Sequence, residues 1–280
     1  MIKNDELLFP AGAEISVIPV LQGEGLPKID ESELPETIPI LALRNVVLFP
    51  GTIYPITIGR EKSKRLIIEA EKQGSFIGAV PQLDVNVEEP GEEDLYRYGT
   101  VARVIKTLDM PDGTITAILQ SIKRIELMTI VDYDPYITGI VRYLDDVLTK
   151  ENSADLKGIA STIKDKASQI MASSNMAAKE AIGAMRSIDS FPFLVNFIAT
   201  TVEVENFEGK IDLLQYDDVR ARAMKLLVIL DGQLQLTNIK QEINLKVKQE
   251  IDQQQREYYL NNQRRTIQEE LGMDGDEEFE

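Results

Sequence analysis

IPILALRNVVLFPGTIYPITIGRE, residues 38–61, is the stretch whose reading decides the fold. An apolar run from Ile38 to Leu43 ends at Arg44-Asn45. A second, from Val46 to Phe49, ends at Pro50-Gly51, and a third, from Ile53 to Ile58, ends at Gly59. Short apolar runs punctuated by Pro and Gly read as strands joined by a turn. Pro55 has no N–H to give to a ladder, which predicts an edge strand or a bulge for the third run. In its plainest reading the stretch is the first corner of a small β domain.

Downstream, Leu66, Ile67 and Ala70 recur at helical spacing and Gly74 closes a short helix, after which Ser75–Pro81 reads as a strand. The acid-rich segment from Leu83 to Asp94 reads as a solvated loop, and its carboxylates lack calcium-loop spacing. Residues 100–108 form a strand, and Met110-Pro111-Asp112-Gly113 a turn with preset φ at Pro and freedom at Gly. Ile115, Ala117 and Leu119 alternate with polar neighbours; Lys123-Arg124 reads as a break before Ile125–Val131, and Tyr136–Leu144 is a last strand. Six or seven short strands without βαβ alternation imply a compact, partly closed β-barrel.

Near Leu148 the period changes from 2 to 3.6. Leu156, Ile159, Ile163, Ala167 and Ile170 form one stripe, and Leu194, Phe197 and Ile198 form a second behind a cap at Ser190. Val219, Ala223, Leu226, Leu230 and Leu234 form a third behind Asp217 or Asp218. Met171, Met176 and Met185 read as gap-fillers of this helical core. A final helix is expected from Asn238 to Leu271, with Gln241 completing a capping box. Ile239, Ile243, Val247 and Ile251 are expected to pack on the Val219–Leu234 stripe, and the polar second half carries Tyr258, Tyr259 and Leu260. The fold class is therefore α+β. It divides into a flexible acidic leader (1–37), a barrel (38–147), a helical bundle (148–237), a long projecting helix (238–271) and a disordered acidic tail (272–280).

The formal net charge of −17 is concentrated at the ends: residues 1–37 carry −6 and 272–280 carry −5. An acidic chain with no basic stripe argues against specific nucleic-acid binding and against an anionic membrane surface. Cys, His and Trp are absent, so disulfides, ordinary zinc sites and Cys/His nucleophilic centres have no residues to use. The sequence has no GxxxxGK[ST] and no GxSxG, so neither a P-loop nor a nucleophile elbow is expected. No apolar run approaches a membrane span, and the expected location is the cytoplasm.

Several stretches carry a resemblance. PILALRNVVLFPGTIYPITIGRE from Pro39 to Glu61, Glu93-Asp94-Leu95-Tyr96, Tyr98-Gly99-Thr100-Val101-Ala102-Arg103, the Leu108–Gly113 turn and QQREYYLNNQRRTIQEELG from Gln254 to Gly272 occur in one order. Together they resemble the N-terminal region of Lon, the ATP-dependent serine protease. The resemblance implies a PUA-like barrel. It also implies a module that binds unfolded or degron-bearing proteins and supports hexamer assembly, in a parent that degrades misfolded and short-lived regulatory proteins. ATP and Mg belong to that parent; no catalytic, cofactor or metal residue is expected in this chain, which lacks both the ATPase and the Ser-Lys protease patterns.

Under that reading Phe49, Ile53, Tyr54 and Met110 are the candidate substrate contacts, because turns beside Pro50-Gly51 and Pro111 can leave apolar side chains exposed. Tyr258, Tyr259 and Leu260 are the candidate partner or assembly contacts. The competing readings are a structural coiled-coil adaptor and a free-standing enzyme with a carboxylate or Ser-Lys site.

Overall fold

The computed structural model of the chain describes residues 18–19, 34–148, 153–172 and 178–270. Most of the leader, the 149–152 connection, Met176 and the 271–280 tail therefore lie outside the described residues. The fold is α+β.

The strands are β1 (Ile18–Pro19), β2 (Thr37–Leu43), β3 (Thr52–Ile58), β4 (Phe76–Pro81), β5 (Tyr98–Asp109), β6 (Ile115–Asp132) and β7 (Thr138–Leu144). Helix α1 (Glu61–Gln73) lies between β3 and β4. The sheet order is β1-β3-β6-β5-β4-β2-β7, and a further β6–β7 pairing closes β6, β5, β4, β2 and β7 into a ring. The long β6 makes this possible: its first part pairs with β3 (Ile115 to Gln120) and its second with β7 (Arg124 to Asp132). Register shifts in the β5–β6 and β6–β7 ladders mark bulges, which let an 18-residue strand curl around the barrel.

Lys123-Arg124 is not a break. Both residues are inside β6, and Arg124 is fully buried. The expectation for Pro55 agrees with the topology: β3 pairs with β6 on one side and, on the other, among the described residues, Thr52 and Ile53 pair with β1. From Tyr54 to Ile58 the outer edge of β3 has no strand partner among the described residues.

Two apolar clusters fill the barrel. One gathers Leu41, Leu48, Ile56, Ile77 and Leu119 under Leu66 and Ile67 of α1; the other gathers Ile38, Ile40, Val101, Ile125 and Val141. Burying a side chain of this kind contributes about 1.5–3 kcal/mol.

The helices are α2 (Ser153–Ala172), α3 (Ala178–Arg186), α4 (Phe191–Thr201), α5 (Phe207–Asp212) and α6 (Val219–Glu270). α2, α3 and α4 pack on one another, and Ile159, Ile163, Ala167 and Ile170 are buried, as are Met171 and Met185. Asp218 caps α6, accepting from the backbone N–H of Arg220 at 2.8 Å and of Ala221 at 3.3 Å. Ser190 precedes α4 without a side-chain cap bond.

The chain divides into two compact units, Met1–Gln233 and Leu234–Glu280. α6 runs without a break from Val219 to Glu270, so no helix starts at Asn238. Val219, Ala223, Leu226 and Leu230 are buried, whereas Ile239, Ile243, Val247 and Ile251 are each about half exposed. Both stripes belong to one continuous helix.

Candidate functional site

The turn at Pro50-Gly51 is fixed from several sides. Gly51 has φ +85°, in the left-handed region, and its N–H donates to the Ser121 carbonyl at 3.0 Å. Thr52 Oγ1 donates to the Phe49 carbonyl at 2.8 Å, and Thr100 Oγ1 to that of Leu48 at 2.6 Å. A Cβ at Gly51 would lie 2.8 Å from Cδ2 of Phe193 on α4. The turn is thus seated against the helical region, and Phe49 is 0% exposed. This corrects the expectation that Phe49 presents its ring to a substrate. A turn next to Pro-Gly exposes its neighbours only when nothing covers it, and here α4 does.

Ile53 and Tyr54 are partly exposed, and Met110 at the tip of the β5–β6 hairpin is 43% exposed. Burial, and then the charge of Glu203, push the Tyr54 phenol above its ordinary pKa. The register does not bring these candidates together. Tyr54 stands opposite Leu119, while Met110 lies beyond the Asp109–Ile115 pair. Leu119 is four residue steps from Ile115 along β6, which is roughly 13 Å.

What Tyr54 does border is a cleft of about 440 Å³ lined along β3 from Tyr54 to Ile58. Leu41, Ala42, Leu43 and Arg44 form its opposite wall, and Gly59 and Arg60 form its end. A second cavity of about 480 Å³ adjoins it; Ala42, Arg60, Ser63 and Glu88 line both, and Tyr133 and Tyr136 line the far side of the second.

Arg60 stands at the junction and is the N-cap residue of α1. Its Nη2 donates to Gln82 Oε1 at 2.7 Å and to the Val87 carbonyl at 2.9 Å, while its buried Nε has no hydrogen-bond partner. Burial, and then the nearby Arg44, hold this guanidinium below its ordinary pKa, against the pull of Glu88. Arg44 pairs with Glu88 at 3.0 Å. The cleft therefore combines one side of β3, apolar walls and, at one end, an Arg60 guanidinium already bonded to Gln82 and Val87. No group of three or more candidate metal ligands occurs among the described residues.

Sequence reasoning missed the joint between barrel and helices. Arg124 on β6 and Arg222 on α6 are both fully buried. Asp146 Oδ1 accepts from Arg124 Nε at 3.0 Å and from Arg222 Nη2 at 2.6 Å, and Oδ2 from Arg222 Nη1 at 3.2 Å. Arg124 also donates to the Leu214 carbonyl at 2.6 Å and to Asp217 at 3.0 Å, and Arg222 to the Tyr216 carbonyl and Asn196. Burial, followed by repulsion from Arg222, holds Arg124 below its ordinary pKa, against Asp146 and Asp217. The only local signal was a charged residue inside an otherwise strand-like run.

Tyr258, Tyr259 and Leu260 lie on α6 at 71%, 61% and 53% exposure, available for contact along the helix. No helix of the described residues is long and apolar enough to cross a membrane.

Residues 37–232 match the family model described as the ATP-dependent protease La (LON) substrate-binding domain. The chain is 40% identical over 260 residues to a Lon protease from Flavobacterium johnsoniae, covering 93% of this chain and 32% of that protein. It is 40% identical over 247 residues to a Lon protease from Porphyromonas gingivalis, covering 88% and 29%. The chain thus spans about a third of the length of the curated relatives it matches. Among solved structures, the N-terminal domain of the Mycobacterium avium complex Lon protease superposes with a TM-score of 0.54 at 16% identity, over 71% of this chain and 98% of that one. At that identity the likeness concerns the fold alone.

Proposed function

Because the chain belongs to the family of Lon substrate-binding domains, we propose that it is the substrate-engaging part of an ATP-dependent serine protease that degrades misfolded and short-lived regulatory proteins. The observation that carries this reading is the extent of the family match, from β2 to the first turns of α6, which takes in the barrel and the helices that seat its Pro-Gly turn. Hydrolysis and ATP use, with its Mg, are assigned to the remaining two thirds of the relatives' length. The chain's own sequence supports this division, since it holds no P-loop and no histidine or cysteine nucleophilic centre.

The ligands of this chain are then unfolded or degron-bearing proteins in the cytoplasm. Ile53, Tyr54 and Met110 are the proposed contacts, with Phe49 as a buried support beneath the turn. The test is fluorescence polarisation with a labelled, permanently unfolded model protein. Saturable binding is expected, weakened several-fold in Tyr54→Ala/Met110→Ala. Unchanged affinity in a variant that melts like wild type removes these two residues from the site.

Tyr258, Tyr259 and Leu260 are the proposed self-association contacts within the hexameric parent. Sedimentation of the full-length protein should show smaller assemblies when all three are changed to Ser. An unchanged hexamer refutes this role.

A further inference from the structure

We propose that the cavity of about 480 Å³ beside Arg60 is a second binding site of this chain, for a polypeptide segment in which a Lys or Arg stands next to a large apolar residue. Neither Tyr54 nor Met110 lines it. Calling the segment a substrate rests on the substrate-binding reading above; the binding itself does not.

Shape comes first. The volume falls within the roughly 300–1,000 Å³ of ligand pockets, which are apolar with a few polar groups around them. Ile40 and Leu66, both 2% exposed, form the base of the cavity with Ile137. Tyr136 is held on one wall by its hydroxyl, which donates to Glu69 Oε2 at 3.0 Å. Tyr133 also lines the cavity and is 47% exposed. An apolar side chain that enters here leaves water, and a phenol ring with a free face attracts a cation.

Charge then selects the segment. The cations around the cavity are already engaged. Arg44 pairs with Glu88 at 3.0 Å, Lys62 with Glu89 at 3.3 Å and Lys64 with Glu61 at 2.7 Å, while Arg60 donates to Gln82 and to the Val87 carbonyl. Three further carboxylates are not matched in this way. Glu92, next to the lining residue Gly91, accepts from the backbone N–H of Ile130 at 3.0 Å. Asp132 accepts from the backbone N–H of Tyr133 at 2.7 Å and of Asp134 at 3.1 Å. Glu92, Asp132 and Asp134 are exposed, and none of them pairs with a cation among the described residues. These uncompensated charges stand within one residue of the cavity wall, two of them flanking Tyr133. They attract a basic segment and repel an acidic one. A phosphate or carboxylate ligand would find the cations already engaged.

The test is polarisation binding to the full chain of three labelled peptides of Gly, Ser and two Phe. They differ only in carrying four Lys, four Gln or four Glu. At low salt the Lys peptide should bind about tenfold tighter than the Glu peptide, with the Gln peptide between them. The gap should narrow as salt screens the exposed charges. Glu92→Gln/Asp132→Asn/Asp134→Asn keeps every acceptor oxygen and removes the charges. It should bring the Lys and Glu peptides within about twofold of each other and leave the Gln peptide unchanged. Tyr133→Ala should weaken the Lys peptide several-fold, and Tyr54→Ala/Met110→Ala should keep the charge preference. Equal affinity of wild type for the Lys and Glu peptides overturns the proposal. So does a triple variant that keeps the preference, which would then arise from the net charge of −17 at large. Should the triple variant melt below wild type, unchanged binding of the Lys peptide by Tyr133→Ala overturns it instead. An unfolded model protein that binds while the peptides show no charge preference refutes this site and leaves the substrate-binding reading standing; a charge preference without binding of unfolded protein does the reverse.

Discussion

Replacing Asp146 by Ala removes the carboxylate that holds two buried guanidinium groups together. In the wild type Asp146 accepts three hydrogen bonds, two from Arg222 and one from Arg124, and both arginines are 0% exposed. Without it, two like charges remain in the interior, and only Asp217, paired with Arg124, still offsets their mutual repulsion among the contacts described. Removing one partner from a buried ion pair costs about 3–5 kcal/mol. The lower end applies here, because Asp146 is 29% exposed in its side chain and each arginine keeps backbone carbonyl acceptors. A loss of about 3 kcal/mol lowers the melting temperature of a unit of this size by roughly 6–12 °C. The neighbouring carboxylate is the control. Asp145 pairs with Lys123 at 2.5 Å, but its side chain is 81% exposed. Asp145→Ala should therefore cost no more than about 1 kcal/mol. Thermal unfolding followed by circular dichroism measures both variants. If Asp146→Ala melts within 2 °C of wild type, or no lower than Asp145→Ala, the joint is not a stabilising element and the argument fails.

Two further predictions concern the helices. Lys210 Nζ is turned toward the carbonyls of Thr200 (3.4 Å) and Val202 (3.3 Å) at the end of α4, and burial pushes its pKa down to about 8 against the pull of Glu203. Between pH 8 and the ordinary 10.5 the unfolded chain therefore binds more protons than the folded one, so this group's contribution to stability rises with pH over that window. Urea unfolding of wild type and Lys210→Met should show a stability difference that moves in favour of wild type from pH 8 to 10.5; a constant difference refutes it. Gly51→Ala and Gly113→Ala both place a Cβ at positive φ, but only Gly51 faces Phe193. Gly113→Ala should cost about 1 kcal/mol and Gly51→Ala at least 1 kcal/mol more, and equal costs would mean that α4 yields freely to the turn.

Most of the barrel strands were legible in the sequence because each carries its own local signal, although Val46–Phe49, an apolar run of the same kind, is not a strand, and β1 lies in what reads as a leader. Alternation in Ile115–Leu119, the Pro111–Gly113 turn and the missing N–H of Pro55 are properties of a few adjacent residues. What could not be read depends on distant partners. Arg124 reads as a break because a charge inside an apolar run normally ends it; the acceptors that permit its burial lie at Asp146, Leu214 and Asp217. Phe49 reads as exposed because the residue that covers its turn, Phe193, lies on a helix in the other half of the fold. A helix start reads at Asn238 because Asn238 with Gln241 resembles a capping box. Lys240, Gln241 and Glu242 beyond it are good helix formers, and the helix passes through. The stripe from Ile239 to Ile251 repeats strictly every four residues, which drifts about 40° per step around a helix of 3.6 residues per turn, so it does not make the straight seam that partner packing needs. The open edge of β3 and its cleft were half legible: Pro55 marked the edge, but only the topology shows that β2 stands across from it.

The central claim is that this chain recognises unfolded polypeptide. It is tested most directly by measuring polarisation binding of one labelled protein in two forms, native and permanently unfolded by reduction and thiol blocking, at equal concentration and salt. The account predicts saturable binding of the unfolded form, at least tenfold tighter than any binding of the native form, with no ATP present. Equal affinity for both forms, or no binding of the unfolded form by a chain that melts cooperatively, would contradict it.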